Sequence, residues 1–403
     1  MINVSVLGYG TVGSGVVQVI YDNNELISKR VGDKVEVKYI LDLRDFPGDP
    51  YEAKVTHDFE DIINDKDVSI ICETMGGINP AYTFSKRALE AGKSVCTSNK
   101  ELVAAHGPEL LQIAKAHNCN YFFEASVGGG IPVIRPINEC LTAEKIDCIQ
   151  GILNGTTNYM LTKMENEGAD YNEVLKEAQD LGYAERNPEA DVEGYDACRK
   201  IAILSSLMYG QTVNYENIYT EGITKITPID FKYAKELHKT IKLIAMSKED
   251  ENGKFAIVSP RLIGEDSPLS AVKDVFNGIL VHSNMLDTSM YYGRGAGKLA
   301  TASAVVGDVI DAAKRADKTA TIIWDEAKAD LGDVLELSQQ YFVRVSGNAD
   351  DMKDTVTKAF GEVTFVTLSG ETSEFGFVTK EMKEADYKKA AESVTGIISM
   401  IRM

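Results

Sequence analysis

Long apolar runs are missing from this chain: no stretch approaches the roughly 18 apolar residues of a membrane span, so no membrane partner is expected. The first residues, MINVSVLGYG, read as a strand entering a loop. They lack the basic start and longer apolar core of a secretory signal, so a cytoplasmic location is expected. Cysteines are few and scattered: Cys72, Cys96, Cys119, Cys140, Cys148 and Cys198 form no CxxC. That excludes a disulfide framework and a redox pair. The five histidines are equally dispersed, so no zinc site is expected. Basic residues are outnumbered, 42 against 61 acidic ones, for a net charge of −19. Such a surface repels phosphate backbones, and no nucleic-acid partner is expected. An anionic cofactor can still bind where backbone N–H groups converge.

What is present is length and rhythm. A chain of 403 residues exceeds one core, so two or three domains are expected. INVSVL, VEVKYILDL and VSIICET read as strands. SGVVQVIYDNNELISKR and PELLQIAKAHN read as helices between and after them. This alternation predicts an α/β fold, with an N-terminal Rossmann doubly wound parallel sheet over 1–135. Residues 299–318, which include the small-residue helix TASAVVGDVIDAAKR, are expected to complete it. Residues 136–298 are expected to form an α+β substrate and dimerisation domain. Its helices would include ACRKIAILSSLMYG and DFKYAKELHKTIKLIAM, and its strands FAIVSPRLI and GILVHSN. Residues 337–403 read as β-α-β-β-α-β, the ferredoxin-like order, and as their own unit. ADKTATIIWDEAKADLGD, near 316–333, reads as the linker.

GYGTVG matches G-x-G-x-x-G straight after a strand, with Gly8, Gly10 and Gly13 framing Thr11 and Val12. The first glycine allows the tight turn, the second lets backbone approach a pyrophosphate, and the third lets helix pack on strand. The phosphates then face free N–H groups at the helix start. Strand two ends in LDLRD. Asp42 suits the ribose hydroxyl of NAD(H), whereas Arg44 suits the 2′-phosphate of NADP(H). The balance favours NADP(H), because a cation so placed in an acidic protein has few better uses.

Four further stretches hold polar groups at element ends. CTSNKELVAAHG sets Thr97, Ser98, Asn99 and Lys100 where a strand hands over to a helix. EASVGGGIPVIRP packs glycines and prolines into a polar turn, and GILNGTTNYML puts Asn154 and Thr156 ahead of an apolar helix. GYAERNPEADVEGYDACRK crowds Glu185, Asp191 and Asp196 against Lys200 at the start of a buried helix. Taken singly, each has a plain reading as a cap or turn. A structural i,i+4 salt bridge would explain Asp196 and Lys200.

Together with GRGAGKLATASAVVGD, these stretches resemble homoserine dehydrogenases, in the family's order from residue 8 to residue 308. The tail is similar to an ACT domain, and the chain resembles the monofunctional form. The resemblance implies reduction of L-aspartate 4-semialdehyde to L-homoserine with NAD(P)H, in threonine, methionine and isoleucine biosynthesis. It implies Lys200 as general acid/base, with Asp196 one turn earlier orienting it. Lys100 would share that role or lie near cofactor and substrate. Glu185, Asp191 and Thr156 would contact the substrate. Thr97 and Ser98 would meet the cofactor, and Gly295 and Gly297 its nicotinamide side. Glu124 and the carbonyls of Val127, Gly129 and Ile131 would hold a monovalent cation such as sodium.

The chain departs from the family in places. Arg186 and Asn187 stand where an acid-aspartate-proline run is usual, GKLATAS lacks a proline, and GGGIP replaces GAGIP. The tail turn SGNADD lacks the aspartate-x-proline-glycine of ligand-binding ACT domains. That counts against threonine feedback there and leaves assembly as an alternative role. A homodimer or homotetramer is expected, since such tails offer sheet edges for pairing. Two rivals differ in needs: aspartate semialdehyde dehydrogenase requires a thiolate nucleophile, and a non-catalytic cofactor sensor has no use for these lysines.

Overall fold

Six parallel strands open the fold: β1 (Ile2–Leu7), β2 (Val35–Leu41), β3 (Val55–Thr56), β4 (Val68–Glu73), β5 (Ser94–Thr97) and β6 (Tyr121–Phe122). Their order in the sheet is β3-β2-β1-β4-β5-β6. Every pairing is parallel. The order reverses direction between β1 and β4, and ligands bind outside the carboxyl ends of strands at such a point. Helices α1 (Thr11–Asp22) and α2 (Lys100–Ala116) leave the ends of β1 and β5. The computed structural model describes residues 1–316 and 318–403.

The second sheet is mixed. It contains β7 (Ile146–Ile152), β8 (Lys239–Asp250), β9 (Gly253–Gly264), β10 (Phe276–Ser283), β11 (Asp287–Arg294), β12 (Tyr341–Ser346), β13 (Val363–Val366), β14 (Glu374–Thr379) and β15 (Ile397–Arg402). The order is β11-β10-β7-β8-β9-β15-β12-β14-β13, with the short strand Tyr219–Thr220 also on β9. Helices α3 (Gly155–Glu167) and α4 (Tyr195–Tyr209) precede β8. The chain divides into two compact units, one of Met1–Lys145, Ala202–Tyr215 and Tyr291–Ala329, the other of Ile146–Ile201, Glu216–Met290 and Asp330–Met403.

Helix α5 (Lys298–Lys314) belongs to the first unit and packs along α1. The fit is close: a Cβ on Gly15 would stand 2.8 Å from the Lys298 carbonyl oxygen. Val16, Val17 and Ile20 of α1 and Val305, Val306 and Val309 of α5 join Val4 and Val6 in one core. Each contributes about 1.5–3 kcal/mol by leaving water. The small-residue sequence of α5 is what allows the approach.

Four differences from the sequence reading have physical causes. The first helix is split: it ends at Asp22, and a second helix spans Asn24–Val31. The break falls at Asn23, whose φ of −109° and ψ of 18° leave the helical region. DFKYAKELHKTIKLIAM is not one helix. It is helical over Pro228–Glu236, turns at His238 with φ of 54°, and continues as β8. Strand β8 pairs with β9 from Lys239↔Gly264 to Asp250↔Gly253, so a long hairpin overrides the helical pattern. The segment read as a linker is partly ordered. Trp324 is buried against Gly107 and Phe123, and Asp325–Lys328 pairs with Gln211–Thr212. Asp317, in that same stretch, lies outside the described residues. Finally, the tail does not keep a sheet to itself: β15 pairs with β9 at Arg261↔Arg402.

Candidate active site

The glycine loop is built as its spacing predicts. Gly8 has φ of +89°, a conformation few side chains tolerate. A Cβ on Gly13 would fall 1.8 Å from the Gly8 carbonyl oxygen, so the turn closes only with glycine there. Gly10 differs: a Cβ would meet nothing within 4 Å. That open side faces the start of α1, whose cap Gly10 supplies no side-chain hydrogen bond and whose first turn carries no acid. Thr11, Val12 and Gly13 lie in that first turn, where free N–H groups and the dipole suit a phosphate. The residues therefore fit a dinucleotide.

Asp42 and Arg44, read as rivals, hold each other. Arg44 Nε and Nη2 donate to the two Asp42 oxygens, each at 2.9 Å, and the Tyr9 N–H donates to Oδ2 at 2.8 Å. The Arg44 hydrogen bond keeps the Asp42 carboxyl well below the usual carboxylate range. The guanidinium is exposed and lies 5.1 Å from the Phe46 ring centre.

At the end of β5, Thr97 Oγ1 donates to Glu73 Oε2 at 2.6 Å and accepts the Asn99 N–H at 2.9 Å. The Ser98 N–H reaches the Glu73 carbonyl at 3.3 Å. Asn99 caps α2 through the Leu102 N–H at 3.1 Å and donates to Gly77. Lys100 is the first residue of α2. Glu73 is fully buried, and burial pushes its carboxyl up against these hydrogen bonds. Sequence reasoning missed Glu73. Its only signal was an acid at the carboxyl end of a buried strand.

The second unit holds the charged cluster. Asn154 caps α3, its Oδ1 accepting the Thr157 N–H at 2.9 Å. Its Nδ2 donates to Asp191 Oδ1 at 2.7 Å and to Asp196 Oδ2 at 2.8 Å. Lys200 Nζ donates to the same Asp196 oxygen at 2.6 Å and to the Leu153 carbonyl at 2.7 Å. The side chains of Lys200 and Asp196 are only 12% and 9% exposed, so the pair is shielded from bulk water. An ammonium has three donors, and two are spent here. The third can meet a developing alkoxide. Thr156 is not in this knot: its hydroxyl donates to the Tyr183 carbonyl at 2.6 Å and pins the preceding turn. Glu185 lies exposed on that turn, its carbonyl accepting from Gln179 at 3.1 Å. The bridging role of Asn154 was also missed, though NGTTNYM drew notice.

The EASVGGGIP turn is held from within. Glu124 Oε1 accepts the Val133 and Ile134 N–H groups at 2.6 and 2.9 Å, and Oε2 accepts that of Arg135 at 2.6 Å. Three N–H groups therefore leave Glu124 one acceptor site, on Oε2. Val127, Gly129 and Ile131 follow in the same turn. The GRGAG loop packs on it: the Gly130 N–H donates to the Arg294 carbonyl at 3.2 Å, and a Cβ on Gly129 would meet the Gly295 carbonyl oxygen. Gly297 precedes α5 as its cap.

Comparison with known proteins agrees with this geometry. Residues 8–124 match the family model for the homoserine dehydrogenase NAD-binding domain, and 132–310 that for homoserine dehydrogenase itself. The chain is 37% identical to the homoserine dehydrogenase of Bacillus subtilis, covering 98% of this chain and 95% of that protein. A crystal structure of a homoserine dehydrogenase from Thiobacillus denitrificans superposes with a TM-score of 0.90 at 34% identity, over 100% of this chain and 97% of that one. A hyperthermophilic archaeal homoserine dehydrogenase mutant, solved in complex with NADPH, gives a TM-score of 0.66 at 28% identity over 77% of this chain and 97% of its own. Motif, fold and relatives converge: the chain belongs to the homoserine dehydrogenases, NAD(P)-dependent oxidoreductases acting on a CH–OH group.

Proposed function

We propose that Lys200 is the proton-transfer residue for the interconversion of L-aspartate 4-semialdehyde and L-homoserine. One observation carries the assignment: Asp196 Oδ2 accepts from both Lys200 and Asn154, at 2.6 and 2.8 Å, which fixes the ammonium in a shielded site. The nicotinamide, when bound, supplies the hydride to the carbonyl carbon or takes it back. Lys200 Nζ gives the proton to the carbonyl oxygen as it becomes the hydroxyl, and recovers it in the reverse direction. Until that proton moves, the positive charge of the ammonium steadies the developing alkoxide. Asp196 orients Lys200, and Asn154 holds Asp196 and Asp191 in register. Asp191 and Glu185 take the substrate ammonium, with Thr156 shaping the turn beside them. Lys100 is the second proton-transfer candidate.

We assign Gly8, Gly10, Thr11, Val12 and Gly13 to the pyrophosphate, Thr97 and Ser98 to the nicotinamide end, and Gly295 and Gly297 to a second backbone approach. NADP(H) is the preferred cofactor. Arg44 favours it, and the archaeal relative was solved with NADPH. The pair must open before Asp42 can take a ribose hydroxyl, because four donors fill its oxygens, whereas Arg44 spends only two of its five N–H donors there and keeps the rest for a 2′-phosphate. Homoserine-dependent reduction of NADP and of NAD, run in parallel, tests the reading. Faster reduction of NADP is expected. Reduction of neither would contradict the function, and faster reduction of NAD would give the ribose end to Asp42.

Residues 337–403 are proposed as an ACT-like domain serving assembly into a homodimer or homotetramer in a cytoplasmic enzyme of amino-acid biosynthesis. The strand order β15-β12-β14-β13 supports this as a ferredoxin-like arrangement. A sodium ion on Glu124, Val127, Gly129 and Ile131 is proposed to stiffen that turn. It has one Glu124 lone-pair site to use. Sedimentation and melting curves in sodium and in choline buffers test both: a monomer removes the assembly role, and identical melting removes the ion.

A further inference from the structure

Strands β1, β4 and β5 lie side by side where the first sheet reverses its order. In register, Leu7 stands opposite Glu73 and Glu73 opposite Thr97, so the three strands end at one level. Three consecutive residues from the end of β4 tie these exits together. Thr74 holds the glycine loop: its hydroxyl lies 3.0 Å from the Leu7 carbonyl oxygen and 2.9 Å from that of Gly8. Met75 packs on the same loop, where a Cβ on Gly8 would stand 3.1 Å from the Met75 Cα. Glu73 reaches toward β5. Its Oε2 accepts the Thr97 hydroxyl at 2.6 Å, and its backbone carbonyl accepts the Ser98 N–H at 3.3 Å. Its Oε1 accepts the Met75 N–H at 2.8 Å.

The loop that follows β4 depends on such ties. Gly76 and Gly77 turn it with φ of +79° and +70°, and a Cβ on either would meet nothing within 4 Å. Neighbouring side chains therefore do not wedge the turn in place. Two polar links bind it to the β5 loop instead: Met75 to Thr97 through Glu73, and Gly77 to Asn99, whose Nδ2 donates to the Gly77 carbonyl at 2.6 Å. Glu73 is fully buried, so its carboxylate acts on a bound cofactor only through the groups it holds. A carboxylate taken out of water is costly unless its oxygens are satisfied. Here each oxygen takes a donor from a different loop, which an apolar side chain of the same size cannot do.

We propose that Glu73 is a positioning residue for hydride transfer: its carboxylate fixes the loop after β4 against Thr97 and Ser98, and so sets where the nicotinamide ring stands. The inference rests on the assignment of Thr97 and Ser98 to the nicotinamide end. The glycine turn keeps its own ties through Thr74, so the pyrophosphate end does not depend on the carboxylate.

The test compares Glu73→Leu and Glu73→Gln with the parent protein in two ways. Equilibrium binding of NADPH is set against that of adenosine 2′,5′-bisphosphate, which lacks the nicotinamide half. Turnover is followed with homoserine carrying hydrogen or deuterium on its hydroxyl carbon. Glu73→Leu is expected to keep the affinity for the fragment and lose the advantage of NADPH over it. Its kcat should fall by about 10²-fold, with the homoserine KM little changed and a larger isotope effect, because a misplaced ring makes hydride transfer the slow step. Glu73→Gln is expected to recover most of this: its amide oxygen accepts the Met75 N–H, and its NH2 donates to the Thr97 oxygen, which can accept twice. Parent-like binding and turnover in Glu73→Leu overturns the proposal. Equal loss of NADPH and fragment also overturns it, leaving a structural tie only, as does a glutamine variant as impaired as the leucine one. Should Glu73→Leu fail to fold, Thr97→Val cuts the tie from its other end and carries the same expectations. No turnover in the parent protein would remove the assigned reaction, while the binding comparison would still decide the role of Glu73.

Discussion

Asp196 Oδ2 accepts two hydrogen bonds, and one of its donors comes from 42 residues away. The i,i+4 spacing of Asp196 and Lys200 made the pair visible in the sequence, because helix geometry is local. Asn154 was visible only as a cap, since no local rule reports which loop meets which helix. Lys242 was invisible for the same reason. Lys242 is 1% exposed, with Nζ donating to Asn158 Oδ1 at 3.2 Å and to the Val272 carbonyl at 2.7 Å. Burial lowers its pKa from 10.5 to about 8. The folded state therefore releases this proton first, and the unfolded state holds more protons between those two values. Stability tied to Lys242 must rise with pH through that window. Lys242→Met is expected to remove the rise, worth about 3 kcal/mol across it. Urea denaturation of both proteins from pH 7 to 10.5 reads the difference. A constant gap between the two curves would contradict the assignment.

At the scale of elements, parallel strands and their helices were legible where each segment was short and bounded by turn residues. VSIICET could hardly be anything but a buried strand. The segment after Pro228 was not legible: KELHKTIKLIAM carries helix formers and an apolar run at once. Its fate is decided by β9, which supplies a partner along the whole of β8. The strand β11 was passed over because its residues are largely exposed and polar, leaving little alternation to read. Helix α5 was read correctly as a close-packing helix. Ala302 of α5 and Gly15 of α1 leave room for the two helices to approach, and small-residue composition reports that directly.

For the whole molecule, the excess of acid fits an enzyme that takes an anionic cofactor through backbone and dipole rather than a basic surface. The net charge of −19 coexists with a glycine loop whose open side lies at Gly10. Among the described residues no helix is long and apolar enough to cross a membrane. The tail, read as separate, instead shares the second sheet through β9 and β15, and a pairing of two distant strands leaves no trace in either. The central claim is that Lys200, fixed by Asp196 and Asn154, moves the proton. It is tested by Lys200→Ala, measuring homoserine turnover beside equilibrium binding of the reduced cofactor. Turnover is expected to fall by about 10²–10⁴ with cofactor affinity unchanged. Turnover retained within a few-fold, with cofactor affinity lost, would contradict the account.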